Sequence, residues 1–324
     1  MLWLASVLGL VAVGSAVFAE TGADEDDSEA RREPEPEGDG LDGGFVEPGG
    51  GSVTGTENGD ILSGSEAADS LSGGAGDDQI GGYGGGDWID GGTGSDSLYG
   101  QNGDDSLFGG DGQDLLHGED GADWLEGGAG GDSLYGHFGN DSLLGGSGAD
   151  LLHGGQGQDW MEGGADEDTL HGNDGDDSLT GGAGEDALFG GYGNDVVSGA
   201  EDGAEQDYVN GGDGDDTLIA GAGDVLTGGA GADQFMAGSW TGSTEAVQLM
   251  DYDADEDQLV VVWEFEDGEE PTLEVRQNPD DAAEQLILVN GQTALRVSGA
   301  EGLTAGDLVL IDPESVAGTG LLPQ

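Results

Sequence analysis

The sequence predicts an all-β fold, a parallel β-helical solenoid of nine-residue repeats that is followed by a β-rich C-terminal cap. Three observations predict it. Residues 55–236 divide into twenty consecutive repeats with Asp at position six, an apolar residue at position eight and, with one exception, Gly at position one. Apolar runs of strand length return in residues 237–324. The chain also carries 71 acidic residues against 4 basic ones, which opposes the compaction of a conventional globular domain.

Composition excludes several classes of protein. The 324 residues have a formal net charge of −67, with 72 Gly, 7 Pro and no Cys. A nucleic-acid partner is not expected, because binding phosphates requires a basic surface that this chain cannot assemble. The absence of Cys excludes a disulfide scaffold and a zinc–thiolate site, and the low Pro content excludes collagen. A chain this acidic and this weakly hydrophobic stays disordered unless a cation neutralises it.

Each repeat is interpreted as one turn and one short strand. Positions one to six form the turn, where Gly supplies positive φ angles, and positions seven to nine form the strand with position eight pointing inward. Two repeats then make one coil of eighteen residues with a strand on each face, and about ten coils stack at about 4.8 Å. Sixteen repeats run without a gap over residues 55–198, whereas 199–210 carry three extra residues and 220–227 lack one. We expect these two irregular repeats to break the coil or its row of ligands locally.

Stacking brings the position-six Asp of each repeat close to that of the second repeat along, with turn carbonyls pointing into the same gap. Carboxylate and carbonyl oxygens in a flexible, high-coordination arrangement favour calcium over magnesium. Residues 55–236 contain 40 acidic residues and no basic one, and half of those acids are the position-six Asp. One inward side chain per repeat is too thin a core to fold the segment alone, so we expect a disordered metal-free form and a folded calcium form.

Repeats such as GGTGSDSLY (91–99) and GGAGEDALF (181–189) match the nonapeptide G-G-x-G-x-D-x-U-x. Residues 55–236 therefore resemble the RTX (repeats-in-toxin) proteins. The resemblance implies a right-handed parallel β-roll, with multiple calcium ions held by Gly-loop carbonyls and the position-six carboxylates. The matching metal-binding residues are Asp60, Asp69, Asp78, Asp87, Asp96, Asp105, Asp114, Asp123, Asp132, Asp141, Asp150, Asp159, Asp168, Asp177, Asp186, Asp195, Asp207, Asp216, Asp224 and Asp233.

Some turns depart from this pattern. Position four holds Ala67 in the second repeat and Asp166 in the thirteenth, and position two holds Tyr83 in the fourth. We expect these turns to form weaker sites. A metal-free Asp/Gly solenoid and plain disorder are the alternatives to calcium binding.

A second period of 36 residues predicts two outward faces. One face carries Trp88, Trp124 and Trp160 alternating with Ser106, Ser142 and Ser178, and the other an aromatic and imidazole ladder of Tyr99, His117, Tyr135, His153, His171 and Phe189. Two interpretations stay open: stacking that stabilises the coils, or a surface for a glycan, a cell-surface partner or self-association. A transition-metal role for His117, His153 and His171 is a further alternative. His137 is expected to be solvated in a turn.

The C-terminal segment, residues 237–324, is placed to cap the last coil. Asn290-Gly291 between two apolar runs predicts a type I′ hairpin. The stretch LMDYDADEDQLVV (249–261) resembles the segment that follows RTX rolls, which implies an uncleaved type I secretion signal at the C-terminus. The predicted strands are 246–250, 258–265, 272–275, 285–289, 294–297 and 308–311.

The N-terminal segment points to two different fates. Residues 1–19 are apolar and uncharged, which suits a signal peptide or a membrane anchor equally, and residues 20–54 form an acidic Gly/Pro linker. Arg31 and Arg32 favour a cytoplasmic linker. Because calcium is scarce in that compartment, we give the calcium argument precedence and expect a secreted or cell-surface location of a bacterial type.

Three functional hypotheses follow. The leading one is a non-catalytic calcium-binding structural module, and the alternative is a calcium-dependent adhesion, carbohydrate-binding or matrix protein. An enzyme is not expected, because H-E-x-x-H and a G-x-S-x-G elbow in a strand–helix context are absent and residues 20–54 hold no separate catalytic domain. Neither the biological partner nor the oligomeric state follows from the sequence.

Overall fold

A computed structural model describes residues 50–200, 205–238, 246–263, 270–300 and 302–311, together with the backbone of 43–45. Regular structure in these residues is entirely β, in 28 strands arranged as two long sheets. No helix among them is long and apolar enough to cross a membrane. The predicted N-terminal segment, residues 1–19, and most of the predicted linker lie outside the described residues.

Alternate strands along the chain join alternate sheets. The first sheet holds, in spatial order, β1 (Gly43–Phe45), β3 (Ile61–Ser63), β5 (Gln79–Gly84), β7 (Ser97–Asn102), β9 (Leu115–Asp120), β11 (Ser133–Phe138), β13 (Leu151–Gln156), β15 (Thr169–Asp174), β17 (Ala187–Tyr192), β19 (Tyr208–Asp213), β21 (Val225–Ala230), β23 (Val247–Leu249), β27 (Gln292–Ser298), β26 (Glu284–Val289) and β25 (Leu273–Gln277).

The second sheet holds the strands between them. It runs through β2 (Ser52–Thr54), β4 (Ser70–Ala75), β6 (Trp88–Thr93), β8 (Ser106–Asp111), β10 (Trp124–Ala129), β12 (Ser142–Ser147), β14 (Trp160–Ala165), β16 (Ser178–Ala183), β18 (Val196–Ser198), β20 (Thr217–Ala220), β22 (Gln234–Gly238), β24 (Gln258–Val262) and β28 (Val309–Ile311).

Strands pair in parallel with the equivalent strand one coil away. Trp124 lies opposite Ser142 and Leu125 opposite Leu143, a separation of eighteen residues. The position-eight side chains of both sheets point inward and form one continuous core, with Leu125 and Leu143 both fully buried. This confirms the predicted β-roll and its two-repeat coil.

Most strands are six residues long instead of the predicted three. They include positions one to three of the following repeat, so that Gly128 lies opposite Gly146 and Ala129 opposite Ser147 in the ladder. The physical reason is that the next coil supplies hydrogen-bond partners to the backbone N–H and C=O groups of these positions, which would otherwise be unpaired. The turn proper is therefore only positions four to six.

The insertion at 199–210 does not break the stack. Ala187 pairs with Tyr208 across it, and the backbone N–H of Asp186 donates to Oδ1 of Asp207 at 2.8 Å. The prediction of a broken coil is wrong in the described residues, because the strands on both sides of residues 201–204 keep their pairing. The neighbouring strands β18 and β20 are shorter than the other repeat strands, with three and four residues.

Both sheets continue beyond residue 236. Strands β23 and β24 pair in parallel with the last repeat strands, and β25, β26 and β27 then form an antiparallel meander at the end of the first sheet. The turn between β26 and β27 has positive φ at both central residues, 51° at Asn290 and 82° at Gly291, as the predicted type I′ hairpin requires. The six predicted C-terminal strands all appear, with ends displaced by a few residues.

Candidate metal centres

The position-six aspartates form two buried columns, one beside each sheet. All twenty are at most 5 % exposed, although carboxylates are rarely buried without a partner. Each lies at the last residue of the turn, immediately before its strand, and is therefore carried inward by the turn that position four begins. The structure thus brings every predicted residue next to its counterpart one coil away.

One carboxylate oxygen of each Asp except Asp60 accepts a backbone hydrogen bond from the neighbouring coil. The backbone N–H of Asp96 donates to Oδ1 of Asp114 at 2.8 Å, and the N–H of Asp114 donates in turn to Oδ1 of Asp132 at 2.8 Å. The same bond recurs along both columns at 2.6–3.1 Å. These bonds link each coil to the next, but they use only half of each carboxylate.

The second oxygen is buried and faces a glycine. An added Cβ on Gly109 would lie 2.6 Å from Oδ2 of Asp114 and 2.6 Å from the carbonyl oxygen of Gly127, so the two oxygens border one small cradle. Gly is needed at position one to leave this space, and its φ is ordinary. Buried Oδ2 atoms without a hydrogen-bond partner belong to Asp78, Asp87, Asp96, Asp105, Asp114, Asp123, Asp132, Asp141, Asp150, Asp159, Asp168, Asp177, Asp195 and Asp216.

These buried carboxylates are energetically unfavourable as anions when no cation or hydrogen-bond donor pairs with Oδ2. Burial, followed by neighbouring aspartates, raises the pKa of Asp105 to about 7 and that of Asp168 to about 8, although a hydrogen bond from the backbone opposes the rise. No basic side chain of the repeat can pair with them, because residues 55–236 contain neither Lys nor Arg. A buried charge without a partner is strongly unfavourable. Burial, orphaned oxygens and carbonyls in the same cradle fit a hard divalent cation such as calcium.

The first two repeats differ from this pattern. Oδ2 of Asp60 accepts the backbone N–H of Thr56 at 2.6 Å, and Oδ2 of Asp69 accepts the N–H of Ser65 at 2.7 Å and its hydroxyl at 2.9 Å. In these two repeats, the residue at position two therefore occupies the Oδ2 atom with a hydrogen bond inside the turn. In the repeat 109–117, which has Gly at position two, Oδ2 stays unpaired and faces the cradle. The second of these repeats is the one that carries Ala67.

The other two turns predicted to be weak keep the common geometry. Tyr83 and Asp166 adopt φ of 79° and 77° where Gly is usual, and the aspartates that follow them, Asp87 and Asp168, still present an unpaired Oδ2. The shortened repeat at 220–227 does differ, because the N–H of Gly221 donates to Oδ2 of Asp224 at 2.5 Å.

Sequence reasoning missed one member of the column. The backbone N–H of Asp233 donates to Oδ1 of Asp257 at 3.0 Å, so Asp257 continues the ladder beyond the repeats. The signal was present in DQLVV (257–261), which reproduces the D-x-U spacing of positions six to eight without the preceding glycines.

The outer surface of the first sheet carries the predicted ring ladder. Consecutive rings from Tyr99 to Phe189 stack with centroids 4.7–5.2 Å apart and planes within 11°. The prediction for His137 is wrong. It lies in β11, half-buried, with Nε2 2.8 Å from Nδ1 of His117, because the strand extends past position one and brings position two onto the same outer face.

The second sheet carries the predicted tryptophans on its outer face. Trp88, Trp124 and Trp160 are 43, 39 and 39 % exposed, and serines occupy the strands between them. These indoles are available to solvent at a constant spacing of two coils.

Fold and site together define a class of protein: a parallel β-roll whose stacked glycine turns carry two columns of buried carboxylates with the chemistry of cation ligands. The family model "RTX calcium-binding nonapeptide repeat (4 copies)" matches overlapping segments that cover residues 54–239 without a gap. The segments are 54–87, 81–116, 117–152, 135–170, 153–188, 171–203, 189–224, 201–234 and 224–239. Because they cover more than half of the chain, this protein belongs to the RTX calcium-binding repeat family and binds multiple calcium ions.

Comparison with curated protein sequences gives no match. Among solved structures, the chain is similar to the R3 subunit of AlgE6, a mannuronan C5-epimerase of Azotobacter vinelandii. The two are 25 % identical over 45 % of this chain and 78 % of the other, with a TM-score of 0.26.

Proposed function

We propose that this protein is a secreted or surface-attached structural module, without catalysis of its own, that folds when calcium binds between its coils. The observation that carries the proposal is the series of buried Oδ2 atoms that lack a hydrogen-bond partner and face a position-one glycine. At each such turn the Asp Oδ2 and the glycine carbonyls of two adjacent coils supply ligands. Asp60, Asp69 and Asp224 contribute less, because their Oδ2 atoms already accept hydrogen bonds.

Charge supports coupling between calcium and folding. The repeat holds 40 acidic residues with no compensating base, so its unfolded chain is extended by repulsion and its folded metal-free form would bury unpaired carboxylates. Each calcium ion removes both costs at once. Binding free energy is therefore spent on folding, as in other domains whose metal site exists only in the folded state.

The test is a calcium titration of the full chain followed by far-ultraviolet circular dichroism. We expect a disordered spectrum in chelator, a cooperative gain of β signal as calcium rises to millimolar concentrations, and reversal by chelator. Magnesium at the same concentrations is the control and should be much less effective, because it requires a smaller, more regular octahedral site. A spectrum that is unchanged by millimolar calcium contradicts the proposal.

Export from the cytoplasm completes the proposal, because calcium is scarce inside the cell. Residues 1–19 would serve as a signal peptide or a membrane anchor, and the segment after residue 236 as the cap. Fractionation of cells that express the chain with and without residues 1–19 separates the routes. Loss of export with the truncation supports an N-terminal signal, membrane association of the intact chain supports an anchor, and unaffected export supports a C-terminal signal.

A second candidate function is calcium-dependent adhesion, favoured by the row of exposed tryptophans. Flat indoles at regular intervals on a rigid face suit stacking against sugar rings or another apolar partner. We expect binding to glycans or cell surfaces to require calcium and to be lost in Trp124→Ala combined with Trp160→Ala. Ser142→Ala on the same face is the matched control, and undiminished binding by the tryptophan variant rejects the hypothesis.

A further inference from the structure

A cluster of nitrogen and oxygen ligands lies on the outer face of the first sheet, away from the aspartate columns. Nδ1 of His117 is 2.8 Å from Nε2 of His137, and one ligand atom each from these two residues and from Glu119 all fall within 4.8 Å of one another. In the described residues this is the group of His and acidic side chains with metal-binding geometry that the calcium sites do not use.

Strand register explains why these three side chains meet. His117 and Glu119 are two residues apart on β9, so both point outward, and His137 on β11 lies directly opposite Glu119. The imidazole of His117 then reaches diagonally toward His137. Several other repeats also carry a side chain at position two. The cluster forms here because Glu119 and His137 have metal-binding side chains and both lie beside His117.

Ring stacking holds the first ligand in place. The imidazole of His117 lies between the rings of Tyr99 and Tyr135, with centroids 5.1 and 4.9 Å away and planes within 11°. The ring of His137 packs against His117 at 5.1 Å. A side chain fixed in this way loses little freedom when it binds an ion, which favours affinity.

We propose that His117, Glu119 and His137 bind one first-row transition-metal ion of the zinc class on the outside of the calcium-loaded roll. Two imidazoles and a carboxylate with room for water are a donor set that zinc accepts, whereas calcium prefers oxygen ligands throughout. With metal–nitrogen bonds of about 2.0–2.1 Å in tetrahedral geometry, the two nitrogens would separate to about 3.3 Å. That is a small adjustment from 2.8 Å, and the strongly negative chain attracts any cation.

Cobalt(II) is the probe, because its visible absorption distinguishes a tetrahedral site that contains nitrogen from octahedral all-oxygen coordination. The full chain is titrated with cobalt in excess calcium, after circular dichroism has established the folded spectrum, and zinc binding is measured by competition. We expect one equivalent of cobalt to give a tetrahedral spectrum that zinc abolishes. No such spectrum in the folded wild-type chain overturns the proposal.

Substitution at position two locates the site without disturbing the roll. His137→Gly installs the residue found at this position in most repeats, and Asn173→Gly makes the same change 36 residues further along, away from all three ligands. We expect His137→Gly, and to a lesser degree Glu119→Gln, to weaken cobalt binding at least tenfold, and Asn173→Gly to leave it unchanged. Equal binding by the His137→Gly and Asn173→Gly variants overturns the proposal, because the cobalt would then be bound elsewhere.

Discussion

Replacing one position-one glycine tests the calcium cradle directly. In Gly109→Ala the new Cβ would lie 2.6 Å from Oδ2 of Asp114 and 2.6 Å from the carbonyl oxygen of Gly127, whereas ordinary contact begins at 3.4 Å. Each oxygen would have to retreat by about 0.8 Å from the added methyl. Calcium–oxygen bonds span only about 2.3–2.6 Å, so a displacement of that size removes both ligands from one ion.

The magnitude follows from linkage. An ion that binds only the folded state stabilises it by about 2.7 kcal/mol when its free concentration is about 100 times its dissociation constant. Loss of one site therefore costs the calcium form close to that amount, in addition to any strain from the displaced carbonyl. Asp114→Asn isolates the electrostatic part, because its amide oxygen still accepts the N–H of Asp96 while the negative charge is gone.

Urea denaturation at fixed calcium and calorimetric counting of bound ions measure both effects. We expect the Gly109→Ala and Asp114→Asn variants to bind fewer ions and to unfold at lower urea, with spectra in chelator identical to wild type. Gly81→Ala is the matched control, because its Cβ would meet only Nε2 of Gln101 at 3.5 Å and a Tyr83 ring carbon at 3.8 Å. Unchanged ion number and stability in Gly109→Ala refute the assignment of the cradle.

Three further predictions concern pH, the core and the turns. Burial raises the pKa of Asp105 to about 7 and of Asp168 to about 8, so the folded metal-free chain binds protons more tightly than the unfolded chain. In chelator, the β signal in circular dichroism should therefore grow as the pH falls from about 8 toward about 4 and disappear when the pH is raised again. Calcium affinity measured by calorimetry should fall on acidification, because protons compete for the same carboxylates. Leu134→Ala, at a fully buried position, should destabilise the calcium form by about 2–5 kcal/mol in urea, and a loss below 1 kcal/mol would contradict a continuous core. Asp166→Gly replaces an L residue held at φ 77°, and should stabilise the calcium form by about 1 kcal/mol; a lower melting temperature would show that the aspartate is needed there.

The repeat made most of the roll predictable. A fixed Asp at position six and a fixed apolar residue at position eight set the register of every coil, so the inward position of Leu125 and the stacking of Tyr99 on His117 followed from counting. The type I′ turn at Asn290-Gly291 was equally local, because its chemistry resides in two residues.

What the sequence did not reveal depends on contacts between coils. Strand length was underestimated because positions one to three become strand only when the next coil supplies hydrogen-bond partners. His137 was misplaced for the same reason, since its approach to His117 requires position two to be part of the strand. The division of each carboxylate into a stacking oxygen and an unpaired oxygen, and the exception at Asp60, likewise depend on turn geometry that the nonapeptide pattern does not encode.

The alternation of repeats between two sheets limits how such an array can change in length. Duplicating a single nonapeptide would transfer every later repeat to the opposite sheet. If the duplication preceded His153, that residue would lie on the outer face that carries the tryptophans, and strands β23 and β24 would exchange sheets. Duplicating eighteen residues preserves both outer faces, and duplicating thirty-six also preserves the alternation of Trp with Ser. A change in length that keeps both outer faces therefore adds or removes one or two whole coils, whereas a single nine-residue repeat exchanges the faces of everything that follows it.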